Sequence, residues 1–152
     1  MERQLVDWYF EDFEPGQVFT SQGRTILESD VMSFAAWSWD TNPVHTDAIA
    51  SGTGRYGQPI AHGLLGISVA MGLVSRIGIF ATCSIALLGV DDWRFREPIL
   101  VGDTVRCRVE ITAARRTGAG GAGILQRHLT LFNQRDDVVQ EGDIGLMVSL
   151  RA

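Results

Sequence analysis

An aspartate, an asparagine–proline pair and a histidine stand close together in Asp40-Thr41-Asn42-Pro43-Val44-His45. A carboxylate can serve as a base and hold charge against a water molecule, and an imidazole can donate or accept a proton near neutral pH. The Asn42-Pro43 bend can turn the intervening backbone so that Asp40 and His45 face a common point, where they could hold one water and move its proton. The same residue types also act as turn and cap residues, and no short Asp/His spacing is diagnostic by itself, so on spacing alone the acid/base and structural readings both stand. Asn42 is expected to fix the loop through side-chain hydrogen bonds rather than to react. A second histidine, in Pro59-Ile60-Ala61-His62-Gly63, also flanks a helical segment, and His62 either orients the loop, contacts a substrate or packs internally. The third, His128, falls in a strand pattern, and the spacing of the three offers no zinc template, so neither a metal nor a cofactor is expected.

The elements that must position these residues are legible from pattern. Glu14-Pro15-Gly16 is a turn signal, and residues 17–27 have the content of a strand. Ser29-Asp30 reads as an N-cap for a helix over 31–39, which Asn42-Pro43 ends because the residue before proline leaves the α region. Asp40 to His45 is therefore expected to be a loop at a helix end, and Thr46-Asp47 to cap a short turn through Ser51. Residues 63–78, GLLGISVAMGLVSRIG, are apolar nearly all round, with small residues that permit close backbone approach, which predicts a helix wrapped by other structure. Beyond it the period becomes two. Val105, Cys107, Val109 and Ile111 alternate with Arg106, Arg108 and Glu110, and Ile144, Leu146, Val148 and Leu150 repeat the pattern. With strands over 84–95 and 124–132, the order implies an α+β domain, an antiparallel sheet curled around one long central helix. The glycine-rich TGAGGAG at 117–123 fits G-x-G-x-x-G, but a strand follows it where a dinucleotide site requires a helix, so it reads as a hairpin loop.

Composition narrows the function. The 152 residues, 45% of them apolar, suit a single domain over 1–152. A net charge of −5 argues against nucleic acid and anionic membrane as partners. All 13 basic residues are arginine, which removes lysine Schiff-base and P-loop chemistry. Cys83 and Cys107 are far apart, the first residues lack a signal-peptide pattern, and the apolar run from Leu64 is too short to span a membrane, so a reduced, cytoplasmic protein is expected.

The chain also resembles a known family. The stretch Asp40-Thr41-Asn42-Pro43-Val44-His45 is similar to the signature of the MaoC-like, or hydratase 2, family of (R)-specific enoyl-CoA hydratases and related dehydratases. Pro59-Ile60-Ala61-His62-Gly63-Leu64-Leu65 resembles its P-x-x-H-G segment, and Phe95-Arg96-Glu97-Pro98-Ile99-Leu100-Val101-Gly102-Asp103-Thr104 its F-x-x-P-V-x-x-G-D-T strand-turn. The resemblance implies a hot-dog fold, a dimer or higher homo-oligomer with its site near the interface, and an acyl thioester of coenzyme A or acyl carrier protein as substrate. It implies that Asp40 and His45 are catalytic, that the Gly63 N–H is an oxyanion donor, and that Ser68 lies near the pocket. Trp39 is a departure, since many relatives carry glycine there, and its indole is expected to narrow or reshape the acyl site. The implied activity is hydration or dehydration of a carbon–carbon double bond. The rival readings are a hot-dog thioesterase and a non-catalytic partner subunit.

Overall fold

The computed structural model describes residues 7–152. Two short strands, β1 (Val18–Thr20) and β2 (Arg24–Thr25), precede helices α1 (Glu28–Ser38), α2 (Pro43–Thr46), α3 (Ala48–Gly52) and α4 (Gly63–Ser75). Four long strands follow, β3 (Ser84–Phe95), β4 (Thr104–Arg116), β5 (Gly123–Phe132) and β6 (Val138–Val148). They form one antiparallel sheet in the order β1-β4-β5-β6-β3, with β2 also paired to β4. The sheet packs against α4, as the periodicity predicts.

The core follows the alternation. Val105, Cys107, Val109 and Ile111 of β4 are fully buried, as are Leu125 and Leu129 of β5 and Val148 of β6. They meet Leu65, Val69, Ala70, Leu73 and Val74 from α4 in one cluster, which sets the position of the helix against the sheet. Thr117 to Ala122 is the β4–β5 hairpin, closed by Thr117 N–H donating to the Ala122 carbonyl, so the glycine-rich segment is a turn.

Several local expectations change. The strand expected over 17–27 is interrupted because Ser21 Oγ accepts the Cys107 N–H at 2.9 Å, a side chain standing in for a backbone carbonyl and breaking the ladder. Helix α1 starts at Glu28, ahead of the expected Ser29-Asp30 cap, since Asp30 sits inside the first turn and accepts the Leu27 N–H at 2.8 Å. Helix α4 ends at Ser75, short of Gly78, and Leu150 lies beyond the end of β6. Nor is α4 wrapped all round: Leu64, Ser68 and Gly72, four residues apart, form an uncovered stripe. No helix among the described residues is long and apolar enough to cross a membrane.

Candidate active site

Trp39 ends α1 in the left-handed conformation, φ 65° and ψ 9°, which turns the chain out of the helix at Asp40. Asn42-Pro43 then does more than end a helix. Pro43 occupies the first position of α2, where its missing N–H costs nothing, and Asn42 Oδ1 accepts the Val44 N–H at 3.1 Å. His45 consequently stands on a one-turn helix, not in the open loop expected from sequence. Asp47 starts α3 as its cap, accepting from Ile49 and Ala50 at 2.9 Å each.

This folding brings Asp40 and His45 together, with His45 Nε2 4.0 Å from Asp40 Oδ2. His45 is 9% exposed, whereas Asp40 is open to solvent. His45 Nδ1 lies 2.7 Å from the Ile60 carbonyl oxygen. A carbonyl only accepts, so Nδ1 carries the hydrogen and the neutral ring presents the Nε2 lone pair.

His62 ties this segment to the head of α4. It is 2% exposed, its Nε2–H donates to the Asp40 carbonyl at 2.8 Å, and its ring stacks on His45 with centroids 3.8 Å apart. Phe34 packs near its ring at 4.9 Å, and His62 Nδ1 is buried without a partner among the described residues. Asp40, His45 and His62 together offer three donor atoms within 4.8 Å of one another, a grouping the chain spacing did not reveal. His128 lies elsewhere, bonded to Asp143 at 2.8 Å.

Gly63 opens α4. No acceptor for its N–H is found among the described residues, as the first position of a helix allows, while its carbonyl accepts from Gln140 Nε2 at 3.1 Å. A Cβ here would meet the Phe95 ring at 2.8 Å, so glycine keeps the N–H face open beside the aromatic ring. Gly63, Phe95, His45, Tyr56 and Gln140 line one cavity of about 240 Å³. His45 also lines a second, of about 260 Å³, with Val31, Met32, Pro59 and Val101.

Two expected site residues stand apart. Ser68 is exposed on the α4 stripe, and its hydroxyl donates back to the Leu64 carbonyl at 3.0 Å. Trp39 is 87% exposed and lines neither cavity. Its positive φ is a conformation that glycine adopts more readily than any other residue. The left-handed region costs a non-glycine residue about 1–2 kcal/mol, partly offset by the about 0.5–1 kcal/mol entropic cost of glycine. Trp39→Gly should therefore raise stability by about 0.5–1 kcal/mol. The urea midpoint would rise at constant slope, and a fall would show that the indole makes a stabilising contact.

The fold and site point to one class of protein, and the comparisons agree: the MaoC like domain family matches residues 12–128, and the chain belongs to that family. Protein MaoC of Klebsiella aerogenes is 37% identical over 109 residues, covering 72% of this chain but only 31% of that protein. An (R)-specific enoyl-CoA hydratase of Rhodospirillum rubrum is 36% identical over 109 residues, 71% of this chain and 72% of the relative. The fold is the hot-dog fold: a Mycobacterium tuberculosis protein described as a double hotdog superposes with a TM-score of 0.82 at 24% identity, over 95% of this chain and 45% of that one.

Proposed function

We propose that this protein adds water to, or removes it from, the 2,3 double bond of an acyl thioester carried by coenzyme A or an acyl carrier protein. The observation that carries this reading is His45 Nε2 held 4.0 Å from the Asp40 carboxylate, in a residue that shares a cavity with the head of α4. A gap of 4.0 Å is too long for a direct hydrogen bond, yet a water about 2.8 Å from each group can bridge it.

The thioester carbonyl accepts a hydrogen bond from Gly63 N–H, and the free donors and positive dipole end of α4 stabilise enolate character at the α carbon. His45 Nε2 takes a proton from the bridging water as its oxygen bonds to the β carbon. The π electrons shift toward the α carbon and the carbonyl. The imidazolium, stabilised by Asp40, then returns the proton to the α carbon. Dehydration reverses these steps, and the balance requires nothing beyond water and the thioester. Asn42 and His62 act as positioning residues, one by starting α2 and the other by gripping the Asp40 carbonyl. The identity of the Rhodospirillum relative supports the reaction class.

The test is a short trans-2-enoyl-CoA, followed through loss of its conjugated absorbance and appearance of the 3-hydroxyacyl product. Release of free CoA instead of hydration favours the thioesterase reading, and binding without turnover favours a non-catalytic subunit.

The same reading includes a homodimer. Strand β3 is the sheet's edge, paired to β6 alone, and it is 12 residues long with Ile85, Leu87, Leu88 and Val90 each about half exposed. A long apolar edge is a template for another strand unless it is covered, and a second copy can cover it about a two-fold axis. Leu87→Arg should halve the mass measured by sedimentation equilibrium. An unchanged dimeric mass places the contact elsewhere, and a monomeric native protein overturns the dimer.

A further inference from the structure

Strand β5 breaks its own apolar alternation at one position. Leu125, Leu129 and Leu131 point into the core, and Arg127, in the same register, is buried among them at 1% exposure. Its Nε–H donates to the Ile144 carbonyl at 3.1 Å and its guanidinium lies over the Phe80 ring at 4.9 Å, but Nη2 has no partner among the described residues. No carboxylate among the described residues comes within ion-pair distance of it. Burial pushes the guanidinium down to about 10. A buried cation without a counter-charge is among the most expensive features a core can hold, and an apolar residue of similar volume would ordinarily serve better.

Arg127 also borders a cavity of about 360 Å³ whose other walls are mostly apolar, including Met71, Val74, Phe80, Leu87 and Leu146, with Ser75 and Ser84 as the two other polar residues. This lies within the size range of small-molecule pockets. It sits against the second half of α4, with Met71 and Val74 about 12 and 16 Å along the helix from Gly63 at 1.5 Å per residue. Its β3 wall belongs to the exposed edge, so pairing of a second copy would roof it. An apolar chamber with one unpaired guanidinium suits a hydrocarbon chain that ends in an anion. A carboxylate fits this better than a phosphate group, because the chamber offers only one cationic side chain to balance charge, beside the serines Ser75 and Ser84.

We infer that Arg127 is a specificity-determining residue that binds a carboxylate at the far end of the acyl group, so that the substrate is the monothioester of a dicarboxylic acid. This rests on the acyl-thioester reading above and deepens it. The carboxylate supplies the counter-charge that none of the described residues provides, and the chain between it and the thioester lies along the apolar wall.

Binding is measured first, without turnover. Saturated ω-carboxyacyl-CoA thioesters of increasing chain length are titrated calorimetrically against neutral acyl-CoA thioesters of equal length. At the best length the carboxylate should tighten binding on the order of 30-fold in the native protein, with the preference abolished in Arg127→Met and partly restored in Arg127→Lys. The same preference should appear in kcat/KM for the corresponding 2-enoyl thioesters. Circular dichroism establishes that the variants fold, and the native protein's own preference is read whether or not they do. No preference at any length overturns the inference, as does a preference that survives intact in folded Arg127→Met. Hydration of neutral enoyl-CoA without a carboxylate preference would refute the Arg127 assignment while leaving the hydratase reading standing. Tight carboxylate-dependent binding without hydration would do the reverse.

Discussion

Asp40→Asn and His45→Ala should each lower kcat for enoyl-thioester hydration by about 10²–10⁴-fold, the range typical of losing a positioned acid/base group. KM should change much less, because neither side chain is asked to hold the acyl chain. The two changes act differently. Asp40→Asn removes the charge that stabilises the imidazolium while keeping nearly the same shape, whereas His45→Ala removes the proton acceptor and the bond to the Ile60 carbonyl. His45→Gln is the useful companion, since it can keep a donor to Ile60 without supplying an imidazole. If the pair holds one water, the double variant should lose little more than the worse single one, because groups that act as a unit are strongly non-additive. Steady-state kinetics on folded variants decide this, and undiminished hydration in either single variant would remove that residue from the mechanism.

The second large effect concerns a backbone hydrogen. Gly63→Pro deletes the N–H proposed as oxyanion donor at a position where proline suits the helix, and His62 before it already has φ −59° and ψ 141°, a conformation that proline permits. The obstacle is the Phe95 ring, 2.8 Å from where a Cβ would lie. Phe95 is 56% exposed, so Phe95→Ala clears the space at modest cost to the core. The informative comparison is then Gly63→Ala/Phe95→Ala against Gly63→Pro/Phe95→Ala, which differ in the N–H while both carry a Cβ. The proline variant should be slower in kcat by about 10²–10³-fold, the usual loss for one oxyanion donor. Equal rates in the two double variants would show that this N–H does not touch the developing charge.

The proximity of Asp40 and His45 was legible because both sit in one short segment whose asparagine and proline constrain the backbone locally. Even there the sequence pattern misjudged the form. Asn42-Pro43 looks like a helix stop, yet the Asn42 side chain and the fixed φ of Pro43 also start the next helical turn, which is what buries His45. His62 was ambiguous in sequence, since its bond to the Asp40 carbonyl spans 22 residues and no local pattern encodes it. Ser68 was expected near the pocket, whereas its hydroxyl satisfies a carbonyl of its own helix. Arg127 was overlooked, although its break in the alternation of β5 was visible in the sequence, because one arginine within a strand attracts no notice until its strand neighbours prove to be buried.

By itself the sequence determined what depends on near neighbours: the period-two strands β4, β5 and β6, the apolar helix headed by Gly63, the hairpin at the glycine-rich turn, and the closeness of Asp40 to His45. Only the tertiary structure decided what depends on distant segments meeting. Among the described residues it split the first strand through Ser21 and Cys107, stacked His62 on His45, left one edge and one helical stripe uncovered, and enclosed Arg127 without a counter-charge. Backbone propensity and hydrophobic period act over a few residues, whereas burial and partnership of a polar group are set by whatever the whole fold packs against it.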